Sequence, residues 1–223
     1  MKQVSVTRRR AARVAAASEA LPRPFPLTPR GQRTRQALLD AAEKVFGELG
    51  FHNAGIVEIT QAAKVALGTF YLYFPDKRTI FRELVRTLNT QLRASIRQRV
   101  QGLDERIEVE VAGFEEFFSF VREHHNLYRV VLQAETVDED IYRWHYRTIA
   151  SGYVRGLRVA QSKGQVRSDL DAETLAYALM GMSEALGMRS VLWEGKLPSA
   201  AARRTIRGFL EGGLAAKKKG RSA

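Results

Sequence analysis

Residues 50–77 read GFHNAGIVEITQAAKVALGTFYLYFPDK. This stretch decides the fold. Ile56, Ile59, Ala62 and Ala63 recur at helical spacing and predict a short helix over about 56–63. A tight turn follows near Lys64 and Val65, and a second short helix is expected over about 67–73, crowded with exposed-type polar and aromatic side chains. Pro75 cannot continue it, and Asp76 is a good N-cap for whatever comes next. Two short helices joined by a tight turn allow one to span a phosphate backbone while the other enters the major groove. That groove is wide enough for a helix, and each base pair shows a distinct donor and acceptor pattern there.

Upstream, Leu38, Ala41, Ala42, Val45, Phe46 and Leu49 form one apolar face of a helix beginning near Gln32. Gly50 is its stop signal. Downstream, Ile80, Phe81, Leu84, Val85, Leu88, Leu92, Ile96 and Val100 mark a long helix over 76–102. Further helices are expected at about 105–124, 127–135, 138–163, 171–193 and 199–215, with breaks near Asn126, Asp138, Gly164 and Pro198. No segment alternates with a period of two, so the expected class is all-α.

The charge is uneven. The 223 residues carry 36 Lys and Arg against 24 Asp and Glu, a net of +12. Residues 1–35 hold +8 of this, residues 215–223 hold +4, and residues 36–214 are neutral. A basic N-terminal arm is the electrostatic footprint of a polyanion binder. Pro22, Pro24, Pro26 and Pro29 break up any amphipathic helix there, which argues against membrane-surface binding. No apolar run would span a bilayer, no secretory signal is visible, and a cytoplasmic location is expected. The absence of cysteine removes disulfides, thiolate nucleophiles and Cys-ligated metals. His124 and His125 are adjacent, not three or four apart, and His52 and His145 have no matching partners, so no metal site is expected. No phosphate loop or nucleophile motif points to an enzyme, and no cofactor is expected.

The segments AAEKVFGELGF (41–51), IVEITQAA (56–63), GTFYLYF (68–74) and DKRTIF (76–81) resemble the TetR family of bacterial transcription regulators. The resemblance implies an N-terminal three-helix DNA-binding domain with a helix–turn–helix, followed by a C-terminal helical bundle for ligand binding and dimerisation. It divides the chain into a flexible basic arm (1–29), a DNA-binding domain (30–77), the long helix over 76–102, a ligand and dimer domain (103–215) and a basic tail (216–223). The family pattern gives Tyr71 a phosphate contact through its hydroxyl, turns Thr69 and Tyr73 to groove or backbone, pairs Lys77 with a phosphate, and packs Phe70 and Phe74 inward. Gly68 lets the backbone approach DNA closely.

This chain departs from the pattern at Ala54 and Gly55, where Ser or Thr is usual. It departs again at Lys64, where Gly is usual, and at Ala66 and Leu67. Lys64 is expected to adopt positive φ, and Leu67 to touch a thymine methyl. Arg33 and Arg35, with Arg8, Arg9, Arg10, Arg13 and Arg30, are expected to supply phosphate attraction. The DNA-contact set is therefore Arg33, Arg35, Gly55, Lys64, Leu67, Gly68, Thr69, Tyr71, Tyr73 and Lys77.

In the C-terminal half, large apolar residues at helical spacing first of all make a bundle core. The resemblance further implies an inducer pocket, for which Phe117, Phe118, Val121, Tyr128, Trp144, Tyr153, Met180 and Met182 are the candidates. HHNLYRVVLQAE and ALMGMSEALGMR are similar to stretches of family members thought to sense acyl thioesters, so a small hydrophobic effector is expected. Arg143, Arg147 and Arg189 could meet an anionic group, but each reads first as a surface ion-pair partner. Small residues in the last two helices permit close approach of a second copy. A homodimer on a near-palindromic duplex operator is the expectation, with ligand release of a repressor as the function; an activator or a broad-specificity DNA binder is the alternative.

Overall fold

The computed structural model describes residues 28–216. The basic arm up to residue 27 and the tail from 217 lie outside them, and with them Arg8, Arg9, Arg10 and Arg13. The described chain falls into two compact units, divided between Gln36 and Ala37.

Helix α1 runs Pro29–Leu49. In the first unit Thr28 caps it: its hydroxyl accepts from Gly31 N at 3.2 Å. The helix thus starts three residues before the expected Gln32. Proline at the first helical position loses no hydrogen bond and has the right φ, so Pro29 opens this helix instead of excluding it.

The second unit is helical from Ala37 onward. The remainder of α1 buries Leu38, Leu39, Ala42, Val45 and Phe46, and Gly50, at φ 78°, ends it. Two short helices follow, α2 (Ile56–Ala62) and α3 (Leu67–Tyr71). Phe70 and Phe74 are buried and close the small core formed with α1. Asp76 then caps α4 (Lys77–Arg99), accepting from Thr79 N at 2.7 Å.

The C-terminal helices are α5 (Arg106–Glu123), α6 (His125–Val137), α7 (Glu139–Ser162), α8 (Ala172–Gly187) and α9 (Ala200–Leu214). A π-helical turn at Met188–Trp193 extends α8. Among the described residues the only extended pairing is a single bridge, Val166 to Ala215. The break expected at Asn126 falls instead at His124, and Asn126 lies inside α6. There it presses on Gly47 of α1: a Cβ at Gly47 would stand 2.7 Å from Asn126 Cβ. The missing side chain is what lets the two helices meet.

Helix α4 ties the unit together. Its N-terminal half (Ile80, Phe81, Leu84) joins the core below α3, and it packs along α5, α6 and α7. Helix α6 adds a polar joint. Gln133 Oε1 accepts from Phe51 N at 2.6 Å, and its Nε2 donates to Phe46 O at 3.2 Å. Both ends of the α1 stop are thereby held by one side chain of the C-terminal bundle. Arg82 of α4 donates to buried Asp138, the N-cap of α7, at 3.1 Å. Burying about six such apolar helix faces against one another is the dominant stabilising term; the polar joints fix which faces meet.

Candidate functional site

The helix–turn–helix is built by its turn. Val65 N donates to Thr60 O at 3.0 Å and Lys64 N to Gln61 O at 3.1 Å. This is the crossed pair of a Schellman stop, which requires a left-handed residue at the Lys64 position. Lys64 has φ 56°, the one positive-φ residue other than glycine among those described. The strain anticipated at this position is therefore real, about 1 kcal/mol for a side chain with a Cβ. Both helices also start without a side-chain cap, at Gly55 and at Ala66. Glu58 stands where the reciprocal partner of a capping box would be, but Gly55 has no hydroxyl to complete it.

On α3, Leu67, Gly68 and Tyr71 are exposed and Thr69 is half-buried; Tyr73, two residues past its end, is half-buried as well. Tyr71 retains 55% of its surface. No Cβ at Gly68 would meet anything within 4 Å, so backbone is open to an incoming surface there. Gly55 is half-buried and Lys64 exposed. Leu72, given no role by the sequence, is 79% exposed at the end of α3. Water-facing Leu67 and Tyr71 on a five-residue helix, with Leu72 at its C-cap, form an apolar rim that a soluble surface does not need. Arg33 is exposed and Arg35 half-buried on α1, in the first unit.

Lys77 sits differently from its expected role. Its ammonium donates to Phe51 O and to Ala54 O, each at 2.7 Å, and lies 4.4 Å from the centre of the Phe51 ring. Partial burial pulls its pKa down, and Glu58 pushes it back up. Two of its three donors are thus committed to the loop between α1 and α2. We read Lys77 as the clamp of that loop. The pattern placed it at the phosphate backbone because position alone does not tell where a four-carbon stem ends.

A cavity of about 360 Å³ opens between α4, α5, α7 and α8, with Tyr128 of α6 at its edge. Such a volume suits a small molecule. Its walls are apolar: Leu92, Ile96, Val100, Val109, Phe114, Phe117, Ile149 and Met180. Of the expected lining, Phe117, Tyr128, Tyr153 and Met180 are there. Phe118, Val121, Trp144 and Met182 are not, and helical phase is the reason. On α5 the cavity face repeats as Glu110, Gly113, Phe114, Phe117, which turns Phe118 and Val121 into the core. On α7 it runs His145, Ile149, Gly152, Tyr153, so Trp144 points elsewhere, with the Arg86 guanidinium 5.8 Å from its ring centre. On α8 it runs Met180, Ser183, Glu184 and leaves Met182 against the core.

Several polar groups that the sequence left unassigned also line the cavity. Arg93, Arg97 and Arg155 do so with no carboxylate of the described residues within ion-pair distance. Arg106 is satisfied: its Nε donates to buried Glu110 at 2.6 Å, and Tyr153 donates to the same carboxylate. Burial and then the Glu110 charge push the Tyr153 hydroxyl pKa well up, which keeps it a donor. His145 is buried, and desolvation pushes it down to about 4. Glu184 accepts from Tyr146 at 2.6 Å, and burial raises its pKa. Arg143 and Arg189 do pair at the surface, with Glu139 and Glu194. The spacing Arg93, Ile96, Arg97, Val100 was a readable signal: it is one face of α4, at steps of three and four.

Comparison with known proteins agrees with this architecture. Residues 38–84 match the family model described as bacterial regulatory proteins, tetR family. The chain is 28% identical over 196 residues to the uncharacterised HTH-type transcriptional regulator YdgC of Bacillus subtilis, covering 83% of this chain and 95% of that one. It is 29% identical over 111 residues to the HTH-type transcriptional activator FasR of Mycolicibacterium smegmatis, half of each chain. Its fold superposes on the regulator FadR of Bacillus subtilis, solved in complex with stearoyl-CoA, with a TM-score of 0.69 and 20% identity over 78% of this chain and 96% of that one. No helix among the described residues is long and apolar enough to cross a membrane. The chain thus carries a helix–turn–helix domain of the tetR family over residues 38–84, standing ahead of a C-terminal helical domain as in the regulators it is similar to.

Proposed function

We propose that the protein is a ligand-responsive repressor that binds a near-palindromic duplex operator as a homodimer and releases it when a small amphiphile enters the cavity. The observation that carries this reading is α4. The same helix lines the apolar cavity with Leu92, Ile96 and its C-cap Val100 and, at its first residue, clamps the α1–α2 loop through Lys77. A ligand that prefers one position of α4 therefore biases the placement of the recognition helix, and only by as much as it discriminates between the two positions. Thr69 and Tyr71 of α3 with the Gly68 backbone, and Tyr73 just past the helix, are the proposed contacts, Leu67 meets a thymine methyl, and Gly55, Lys64, Arg33 and Arg35 meet phosphates. The dimer would form through α8 and α9, where Trp193 is 71% and Phe209 62% exposed beside the open Gly208 and Gly212.

The apolar walls, with three arginines that pair with no carboxylate among the described residues, favour an amphiphile carrying an anion, of which an acyl thioester of coenzyme A is one class; the ligand named for FadR belongs to it. The test is fluorescence anisotropy of a duplex selected from a random pool, titrated with decanoyl-CoA. Release at stoichiometric ligand supports the reading, and an unmoved anisotropy up to millimolar ligand refutes it. The name of FasR favours a second reading, activation; transcription in vitro from a template carrying the selected site separates the two by its sign.

A further inference from the structure

The cavity has two polar ends, and the second is unexplained by an ordinary acyl chain. Its depth follows from the helices. Asn89 donates to His145 O at 3.0 Å, which sets α4 and α7 level at those residues. Arg97 lies eight residues further along α4 and Arg155 ten further along α7, so the arginines stand about 12–15 Å away from that level. Phe117 and Tyr128 are in ring contact, 5.9 Å between centres, and Tyr146 holds Glu184. Tyr128, His145 and Glu184 therefore share the end of the cavity opposite Arg97 and Arg155.

Each of the three keeps a polar atom for a guest. Tyr128 is 3% exposed and lines the cavity, and its hydroxyl has no hydrogen-bond partner among the described residues. His145 is equally buried. Its Nδ1 faces the Asn89 amide donor at 3.3 Å and so accepts, which leaves the proton on Nε2, also unpartnered. Glu184 uses Oε1 for Tyr146 and retains Oε2. Two donors and an acceptor at one end of the cavity, with the Glu184 charge near enough to act on the Tyr128 hydroxyl, match a hydroxyl, which accepts through its lone pairs and donates its proton. A methyl group placed there would leave all three desolvated and unpaired.

We propose that Tyr128, His145 and Glu184 form a recognition point for a hydroxyl at the far end of an amphiphile whose anionic group meets Arg97 and Arg155. The effector is thus bipolar, with an apolar spine about 12 Å long between an anion and an alcohol. This rests on the reading of the cavity as an effector site and narrows its ligand class.

Calorimetric titration of the full chain with decanoate and with its ω-hydroxy derivative tests it. The hydroxy acid binds at least about tenfold more tightly. Tyr128→Phe removes most of that preference, read as the ratio of the two affinities in the same variant, and Glu184→Gln, which keeps the volume, weakens it. Equal affinities in the wild-type chain overturn the recognition point alone, as does a preference that survives both substitutions. If neither acid binds, the amphiphile reading of the cavity falls together with the inference.

Discussion

Lys77→Met separates two roles for one residue. Methionine keeps the unbranched stem and loses the charge. The loss removes two donations at 2.7 Å, to Phe51 O and Ala54 O, and a cation 4.4 Å from the Phe51 ring. Hydrogen bonds from a charged donor contribute roughly 1.5–3 kcal/mol each. Half-exposure of the ammonium and the relief of its desolvation offset part of that, so a net loss of about 3 kcal/mol is expected. In a protein of this size that lowers Tm by about 6–12 °C. The assay pairs thermal unfolding, followed by circular dichroism, with the salt dependence of DNA binding. A clamp predicts the drop in Tm and an unchanged slope of log K against log salt. A phosphate contact predicts an intact Tm and a slope shallower by about 0.9. The second outcome refutes the clamp.

Three further results are expected. Lys64→Gly relieves the left-handed strain at φ 56° and raises stability by up to about 1 kcal/mol, read from urea midpoints; a loss would mean that the side chain supports the turn. His145 is shifted from 6.5 to about 4, so protonation favours the unfolded chain: its penalty is absent above pH 6.5, grows as pH falls and is complete below pH 4, at about 3 kcal/mol. Glu43 and Glu184, both raised by burial, run the opposite way. The difference between wild type and His145→Asn isolates the histidine and should narrow by that amount over this window; a constant difference contradicts it. Deleting residues 1–28 removes Lys2, Arg8, Arg9, Arg10, Arg13 and Arg23, and should weaken operator binding and flatten its salt slope, whereas an unchanged slope would show that the arm meets no phosphate.

Local chemistry made the front of the molecule legible. Gly50 and Asp76 are stop and cap signals that act within four residues, and Phe70 and Phe74 sit on the inward face of a short helix whatever lies beyond it. Even the positive φ of Lys64 was readable, because a Schellman stop demands it of whichever residue occupies that place. The cavity was half legible. Apolar content identified α5, α7 and α8 as its walls, but a choice between Phe117 and Phe118 depends on the rotation of α5 against α4, which is a long-range property. Arg93 and Arg97 share one face of α4 at helical spacing, but such a face reads the same whether it meets solvent or a cavity. Lys77 reaches carbonyls 23 and 26 residues earlier in the chain, and Gln133 bonds to Phe51 82 residues earlier. No window of sequence contains such pairs. The break expected at Asn126 failed for the same reason: the glycine that accommodates it is Gly47, on another helix.

Selection of duplexes from a random pool with the full-length protein tests the central claim most directly. The account predicts enrichment of one inverted repeat with half-sites about one helical turn or a small multiple apart, lost when Tyr71 is replaced by Ala. A pool that stays random after repeated rounds, or one whose enriched sequence the Tyr71→Ala chain binds equally well, would contradict it.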